Sequence, residues 1–508
     1  MPDSITKIKF PKLFFGFVAP IGADVDPVID AFRKHLKSLG YNVVEIKVTN
    51  IFRTFSNYVP ANPALVHKRP LLQRYESYIT YGNTLRATFD DEILAATSVY
   101  RIMRKRLQTK TDEPFSRTAY LLHQFKRPEE INLLRSIYGR LFFQVSVYSR
   151  KAARVTHLSQ QFASSENQAN NNRFRVDAER LISDDENQRG VTNGQRVAKI
   201  FADGDVVISL DTETEMPVRE QVSRFCEIIF GSNSVSPTRQ EYAMYLAKAA
   251  ALRSLDLSRQ VGAAIFSCTG EIVALGSNEV PKANGGTYWA NEKFDDRDYK
   301  RNADSNYKRK KEILLELTSI VSPEILPDTL LSDPRVRDSQ FMDALEYGRI
   351  LHAEMSAISD AARLGRSTAN STLYCTTFPC HMCAKHIVGA GISKVVFLEP
   401  YPKSLASDLH SDSIEIEGSD RAQYQQFPAV TFSHFFGVTP RRYRELFERK
   451  GRKDEASGEF KTHIHSPPEP MIDIKYPFYN ALEEIITLDL RDQIADIAPE
   501  ESLFDIAD

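Results

Sequence analysis

The sequence predicts an α/β protein with more than one domain. Its 508 residues exceed the roughly 100–200 that one domain usually needs, so two or three domains are expected. Hydrophobic residues make up 42% and charged residues 26%, which is ordinary globular usage and excludes a disordered chain, a collagen-like fibre or a coiled-coil rod. Strand and helix patterns alternate in two parts of the chain, and this order is typical of sheets with parallel strands.

The first predicted domain, residues 1–224, opens with a strand, a turn, a helix and a second strand. Residues 12–18 are apolar and end in a glycine-containing turn, and residues 26–39 carry apolar side chains at helical spacing. Gly40 follows where a helix stop is expected, and residues 41–48 favour a second strand. This order is the opening βαβ unit of a parallel sheet.

The rest of this domain is less regular. Further helices are predicted over 85–110 and 129–141, and further strands over 142–148 and 205–210. Residues 160–189, between these two strands, are rich in Asn, Gln, Ser and charged residues. That composition fits a linker, a lid, an exposed helical excursion or a plain solvated loop.

The second predicted domain, residues 225–450, shows the same alternation. Its elements are a helix at 238–255, a hairpin at 260–266 and 272–276, a helix at 345–364, strands at 372–377 and 394–398, and a helix at 380–389.

An acidic tail is predicted over 451–508. Its last 40 residues hold 11 acidic side chains against Lys475 and Arg491. Such a tail is usually solvated, but its apolar residues predict that part of it docks on a surface. They are Ile474, Phe478, Leu482, Ile485, Ile486 and Leu488.

Residues suited to metal chemistry are concentrated in His352-Ala353-Glu354 and Pro379-Cys380-His381-Met382-Cys383. One imidazole and a Cys-x-x-Cys pair supply three zinc ligands, and an open fourth position is typical of a catalytic site. Both groups stand where a helix is predicted to begin, and helix N-termini favour thiolates. Zinc in such a site lowers the pKa of bound water towards 7, and Glu354 is placed to move a proton.

The two motifs are informative because they occur together. Either one alone is common, but their order and the Pro before the first Cys match the signature of zinc nucleobase deaminases. The remaining cysteines, Cys226, Cys268 and Cys375, lie on or beside apolar elements and are predicted to be core residues. Five cysteines in all argue for a reducing compartment and against a disulfide framework.

Segments around these motifs carry a resemblance to a known family. They are Ser258-Arg259-Gln260-Val261-Gly262-Ala263-Ala264, Ser277-Asn278 and Thr376-Thr377-Phe378. With the zinc motif, they make residues 225–440 similar to the cytidine and deoxycytidylate deaminases. The resemblance implies a cytidine-deaminase-like α/β/α fold, with one zinc ion on His352, Cys380 and Cys383, and Glu354 as the catalytic residue.

The same resemblance implies substrate contacts. Asn278 would hydrogen-bond the sugar hydroxyl, Ala353 and the strand end at Thr376 to Phe378 would grip the pyrimidine edge, and Tyr401 would lie near the sugar-phosphate. Arg259 is a further substrate-binding candidate. The family often has Asn where this chain has Ser356, and the glycine-rich turn after Asn278 is altered. Both departures leave the phosphate form of the substrate open.

A long insert separates Asn278 from His352 in the sequence. Seven basic residues occur between Arg297 and Lys311. They would suit a triphosphate, although a solvated basic helix face explains the Lys308–Lys311 run equally well.

Residues 13–24 resemble the start of a P-loop kinase fold, in which a strand runs into a glycine loop and then a helix. Aligning G-x-x-x-x-G-K-[ST] on Gly22 puts Phe17 at the first glycine, Ala23 at the lysine and Asp24 at the hydroxyl residue. The phosphate-binding lysine and the magnesium-binding hydroxyl are therefore missing, and Asp24 would repel phosphate. A degenerate nucleotide-binding loop at Gly22 and Asp24, without phosphoryl transfer, is expected.

The combination of both halves resembles the bacterial antiphage deoxycytidine-nucleotide deaminases. The resemblance implies deamination of dCTP and dCMP, depletion of dCTP during infection, a homo-oligomer, a possible nucleotide effector and, in some members, a regulatory small RNA. Without a secretory signal or a bilayer-spanning run, a cytoplasmic location is expected.

Two other functions remain open from the sequence. One is a deaminase of tRNA or single-stranded DNA, which shares the zinc motif but needs a basic groove with stacking aromatic residues. The net charge of −2 and the single Trp disfavour it. The other is a nucleotide sensor that only binds, which would not need Glu354.

Overall fold

The computed structural model describes residues 7–108, 117–188, 190–211, 216–322, 327–337, 339–400, 404–417, 419–495 and 497. The chain forms two compact units. The first combines Met1–Pro237 with Phe436–Asp508, and the second is Thr238–Phe435. None of the helices within these described ranges combines the length and apolar character that a bilayer span requires.

The strands are β1 Leu13–Val18, β2 Asn42–Lys47, β3 Thr118–His123, β4 Phe142–Tyr148, β5 Val206–Ser209, β6 Gly262–Phe266, β7 Ile272–Ser277, β8 Thr372–Thr377, β9 Lys394–Glu399, β10 Ile414–Ile416, β11 Val430–His434 and β12 Gly437–Val438. The helices of the first unit are α1 Asp26–Ser38, α2 Phe52–Phe55, α3 Leu71–Thr88, α4 Ile93–Gln108, α5 Pro128–Tyr138, α6 Lys151–Ser165, α7 Arg175–Asn187, α8 Val197–Phe201, α9 Val218–Ile229, α18 Tyr443–Phe447 and α19 Tyr479–Ala495. Those of the second unit are α10 Arg239–Ala251, α11 Asp298–Arg301, α12 Ser305–Val321, α13 Pro327–Ser332, α14 Pro334–Arg337, α15 Ala353–Arg363, α16 His381–Gly389 and α17 Ala406–Leu409.

A six-stranded sheet organises the first unit in the order β12–β5–β4–β1–β3–β2. All its strands are parallel except β12, which runs antiparallel to β5. Every residue of β1 is buried, as expected for a central strand with neighbours on both sides. The predicted opening of strand, turn, helix and strand is therefore confirmed by β1, α1 and β2.

Residues 160–188 contain the end of α6, a short 3₁₀ turn at Asn172–Phe174 and α7. These three elements bury Phe162, Phe174, Leu181 and Ile182 in one apolar cluster. A solvated loop is therefore wrong for this segment, because its few apolar side chains pack together. The predicted helix over 85–110 is instead two helices, since α3 ends at Thr88 and α4 begins at Ile93.

The units divide the chain at other positions than the predicted 224 and 450. Helix α9 belongs to the first unit, where Phe225 contacts the rings of Phe32 and Phe143. The chain also returns to the first unit at Phe436, just before β12, and therefore ahead of the predicted tail that begins at 451. The return was not predicted because β12, a strand of two residues, is too short to show a periodic pattern in the sequence.

Helix α19 packs on the first unit through an unexpected face. Of the expected contacts, Ile474 is buried and Phe478 and Ile486 are half-buried, but Leu482, Ile485 and Leu488 are exposed. The buried residues of α19 are Tyr479, Glu483, Leu490 and Ile494. The Glu483 carboxylate binds the Arg106 guanidinium and accepts a hydrogen bond of 3.0 Å from the Tyr138 hydroxyl. These polar partners hold an acidic residue inside the packed face.

The second unit has its own six-stranded sheet, in the order β10–β11–β9–β8–β6–β7. Strand β6 runs antiparallel to β7 and β8, and the remaining neighbours are parallel. The predicted hairpin and strands are confirmed. The predicted helix 345–364 begins only at Ala353, because His352 has an extended backbone and caps α15.

Gly276 of β7 allows α15 to lie close to the sheet. A Cβ atom there would be 2.1 Å from the Ala353 carbonyl oxygen and 2.6 Å from the Ala357 nitrogen. Since both contacts are backbone atoms, no side-chain rotation can relieve them. The position of α15 therefore depends on the absence of a side chain at residue 276.

We expect Gly276→Ala to lower the free energy of unfolding by roughly 1–3 kcal/mol, because α15 must move away from β7. Gly389→Ala is the matched control, since a Cβ on that helical glycine meets no atom within 4 Å. Chemical denaturation of both variants measures the difference. Equal stability of the two would contradict the close contact.

Candidate functional site

The predicted zinc ligands stand at the beginnings of two helices of the second unit. His352 immediately precedes α15, Cys380 immediately precedes α16, and Cys383 lies in the first turn of α16. The partial positive charge of helix N-termini stabilises thiolates at such positions. The folded chain thus brings together residues 28 and 31 positions apart in sequence.

The three side chains form one compact cluster. The Nδ1 atom of His352 lies 3.4 Å from Cys380 Sγ and 3.3 Å from Cys383 Sγ, and all three ligand atoms lie within 4.8 Å of one another. Zinc–sulfur and zinc–nitrogen bonds of about 2.3 and 2.0 Å in a tetrahedron place N and S about 3.5 Å apart. The cluster fits a zinc ion in both donor type and spacing.

The groups in the cluster perturb one another's protonation. A hydrogen bond from Cys383, together with His352, lowers the pKa of Cys380 to about 4. The same hydrogen bond and burial raise the pKa of Cys383. Burial works against the imidazolium of His352, but Cys380 and Glu354 outweigh it and raise its pKa to about 9. At neutral pH, and with no metal bound, Cys380 is a thiolate beside an imidazolium.

Glu354 lies in the first turn of α15, beside the cluster. It is only 3% exposed, and burial, with the nearby Cys380, raises the pKa of its carboxyl. Burial and the neighbouring Glu354 raise the pKa of the Cys375 thiol on β8. Cys226 and Cys375 are buried, as predicted for core residues, whereas Cys268 is exposed.

A pocket of about 190 Å³ opens beside the cluster and is lined by His352, Glu354 and Cys380. Its other walls come from residues 256–261, from Asn278, Thr377 and Phe378, and from the long insert. The insert contributes Asp298, Asp304, Asn306, Leu345, Gly348 and Ile350. The seven basic residues of the insert are absent from the described lining, and Arg297 is buried against Asp295 and Glu279.

Asn278 lines the pocket while holding the neighbouring loop. Its Nδ2 donates to Asp256 Oδ2 at 3.0 Å and to the Arg259 carbonyl at 2.6 Å, and its Oδ1 accepts from the Val261 amide at 2.7 Å. Both amide protons are therefore used, and one lone pair of Oδ1 remains. Asn278 can accept a hydrogen bond from a sugar hydroxyl but cannot donate one.

Of the other predicted substrate residues, some line the pocket and some do not. Arg259 lines the pocket and forms a half-exposed ion pair of 2.7 Å with Glu399. Thr377, rather than Thr376, forms the wall, because Thr376 Oγ1 accepts from the Gly262 amide inside the sheet. Ala353 is fully buried against β7 and is not part of the lining.

Two of the predicted positions lie elsewhere. Tyr401 is outside the described residues. Gly22 and Asp24, the predicted degenerate loop, line a separate cavity of the first unit.

Sequence reasoning missed Asp256 and the insert residues of the pocket. Asp256 accepts hydrogen bonds from Asn278 and, at 2.6 Å, from the Ser258 amide, so it fixes the loop that carries Arg259. A lone acid after a predicted helix is a weak signal. The insert residues have no shared spacing, and only the tertiary structure brings them to the site.

A comparison with known families supports this site. Residues 237–399 match the cytidine and deoxycytidylate deaminase zinc-binding region. This part of the chain is therefore similar to the zinc-binding region of the cytidine and deoxycytidylate deaminases.

Individual relatives match over limited lengths. The deoxycytidylate deaminase of Enterobacteria phage T2 is 48% identical over 54 residues, which are 11% of this chain and 29% of that protein. The probable deoxycytidylate deaminase of Drosophila melanogaster is 28% identical over 201 residues, 38% of this chain and 78% of that protein. The chain thus spans less than a third of the length of the phage relative.

Solved structures were also compared. The dCMP deaminase of cyanophage S-TIM5, in its apo form, aligns with 39% of this chain and 99% of its own, at 19% identity and a TM-score of 0.22.

Replacing Cys380 or Cys383 by Ser should abolish stoichiometric zinc binding and lower thermal stability, because formation of the site and folding are linked. Cys268→Ser is the control, since Cys268 is an exposed cysteine of the same unit. Metal analysis and thermal melts test this expectation. A Cys383→Ser protein that retains one zinc ion would contradict the ligand assignment.

Zinc uptake should release about two protons at pH 7, since the metal requires a neutral imidazole and two thiolates. The raised pKa values keep His352 and Cys383 protonated in the metal-free protein, whereas Cys380 is already ionised. Zinc affinity should therefore fall as the pH is lowered below 9. Calorimetry in buffers of different ionisation enthalpy counts the protons, and uptake without proton release would contradict these protonation states.

Proposed function

We propose that this protein deaminates free deoxycytidine nucleotides by zinc-dependent hydrolysis, converting dCMP, dCTP or both to the deoxyuridine nucleotides. The observation that carries the proposal is the cluster of His352, Cys380 and Cys383 with the buried carboxyl of Glu354 beside it, at a small pocket that His352, Cys380 and Glu354 line. A purely structural zinc site would have four protein ligands and no proton-transfer group.

The reaction requires protons to move in a fixed order. Water adds its oxygen to C4 of the cytosine, the C4–N4 bond breaks, and ammonia leaves. When bound, zinc supplies Lewis-acid activation of water. Glu354 accepts one proton of the attacking water and delivers it to the ring nitrogen; it then accepts the second proton, from the new C4 hydroxyl, and delivers it to the leaving amino group. Because burial raises the pKa of the Glu354 carboxyl, it gains and holds a proton more readily than an exposed carboxylate.

Other residues of the pocket orient the substrate. Phe378 and Val261 offer apolar surface to the base, and Asn278 Oδ1 accepts from the sugar hydroxyl. Arg259 is the partner for phosphate, which requires its guanidinium to exchange Glu399 for the nucleotide. Such an exchange is inexpensive for a half-exposed ion pair.

The charge of the pocket favours a free nucleotide over a polynucleotide. Arg259 is the only Arg or Lys in the described lining, whereas Asp256, Asp298 and Asp304 also face this pocket. Enzymes of single-stranded nucleic acids use a basic groove that follows the backbone and aromatic platforms for successive bases. A lining with one guanidinium and three carboxylates lacks the positive groove that a polynucleotide backbone requires.

The proposal extends to biological role and partners. Depletion of dCTP during phage infection would make the enzyme an antiphage defence, and a homo-oligomer, a nucleotide effector and a regulatory small RNA are part of the same resemblance. The first unit would be a P-loop-kinase-like domain without phosphoryl transfer. Central β1, the glycine loop after it and α1 support that assignment, while Ala23 and Asp24 stand where lysine and a hydroxyl residue would be needed.

A substrate panel tests the activity directly. The full-length zinc protein is incubated with dCMP, dCTP, CMP and a cytidine-containing DNA oligonucleotide, and ammonia release and the mass of each product are measured. We expect turnover of dCMP, dCTP or both and none of the oligonucleotide. Deamination of the oligonucleotide alone would favour the polynucleotide enzyme, and no turnover would favour a nucleotide sensor.

Glu354→Ala should lower kcat by at least about 10²–10⁴-fold while zinc remains bound, because the lost group moves protons and is not a ligand. Asp360→Asn, on the same helix but outside the described lining of the pocket, should retain activity. The Glu354 variant should also fail to deplete dCTP in phage-infected cells. Loss of zinc in this variant would contradict the assigned role.

A further inference from the structure

A second cavity, of about 300 Å³, lies at the carboxyl edge of the sheet in the first unit. Residues 20–26 after β1, Lys47 at the end of β2 and His123 at the end of β3 line it, together with side chains from α3, α6 and α7. In open α/β sheets, ligands bind outside the carboxyl ends of the strands. The cavity has the location of a ligand site, and the deaminase chemistry does not use it.

The donors that would hold a phosphate here already bind a carboxylate of the protein. Asp185, on α7, is fully buried, and its Oδ2 accepts from the Ile21 amide at 2.7 Å. The ammonium group of Lys126 donates to Asp185 Oδ1 at 2.7 Å and to the Ala19 carbonyl at 2.8 Å. Asp185 thus takes the place of an anionic ligand at the glycine loop.

The remaining charges of the lining also disfavour an anion. Asp24 and Asp26 add two carboxylates from the loop. Among the basic lining residues, Arg86 is buried against Glu130 and Arg74 donates to the His67 carbonyl. Lys47 is exposed to solvent. A ligand without phosphate at the loop fits this balance better than a nucleoside triphosphate.

The side-chain oxygen of Gln195 requires a hydrogen-bond donor from a bound molecule. This residue is only 8% exposed and lines the cavity, and no donor among the described residues reaches its buried Oε1 atom. An unsatisfied buried acceptor is costly, so the bound molecule should bring an N–H or O–H group to it. Phe52, Tyr75 and Tyr78 add aromatic surface for a planar ring.

We propose that this cavity binds an uncharged heteroaromatic molecule of nucleobase or nucleoside size, with an N–H donor directed at Gln195 Oε1 and Asp185 closing the anion position. A volume near the lower end of ligand pockets suits a base with its sugar.

Calorimetric titration of the full-length protein with adenosine, guanosine and thymidine, and with their 5′-triphosphates, tests the proposal. At least one nucleoside should bind, and its triphosphate should bind at least tenfold more weakly. Gln195→Leu should weaken nucleoside binding at least tenfold. Gln73→Leu is the control, because Gln73 is exposed on α3 and does not line the cavity. Binding of no nucleoside, or binding unchanged by Gln195→Leu, would overturn the proposal.

Two measurements remain decisive if the Gln195 variant does not fold. Photo-crosslinking of wild-type protein with an azido derivative of each nucleoside should label peptides that contain Tyr75 or Tyr78, and labelling confined to the second unit would overturn the assignment. Pyrophosphate should not bind the first unit of the wild-type protein, and Asp185→Asn should create a site for it. Tight, adenosine-competitive binding of pyrophosphate to wild type would show that the anion position is free.

Discussion

The candidate site depends on one constraint: the first turns of two helices must lie side by side, so that one imidazole and two thiols can bind the same metal ion. Helix α16 satisfies its half because it follows β8 directly and connects it to the parallel strand β9. Helix α15 satisfies the other half because Gly276 lets its backbone approach β7. Once both first turns are fixed, Glu354 faces the same pocket as the ligands, since it lies in the turn that His352 caps.

The cluster of His352, Cys380 and Cys383 with Glu354 beside it was predictable because each motif is local and its residue types are chemically unusual. The walls of the pocket were not. Asp256 holds Asn278 and the loop that carries Arg259, yet nothing in its neighbourhood marks it as part of a site. Thr376 and Thr377 are adjacent in a strand, and alternation sends only one of them to the pocket. The motif identifies both threonines, but the register of β8 against β6 determines which of the two faces the pocket.

Fold prediction succeeded where apolar runs and helical spacing were continuous, as in β1, α1 and β8, and failed where charge replaced apolar surface. In α19, the apolar Leu482 and Ile485 were predicted to be buried, but both are exposed. The buried contact is made by Glu483 with Arg106 and Tyr138. Polar groups that are buried as pairs cannot be recognised from the pattern of hydrophobic residues. The same limit hid Asp185, whose role beside Lys126 depends on a contact 59 residues away in sequence.

The return of residues 436–508 to the first unit makes the second unit an insertion within the first. A fragment that stops at residue 435 would therefore contain the first unit only in part. It would lack β12 along β5 and would leave the buried Arg106 without the Glu483 carboxylate. Separate study of the two units calls for excision of residues 238–435 and a short linker across the gap, because the first unit is assembled from both ends of the sequence.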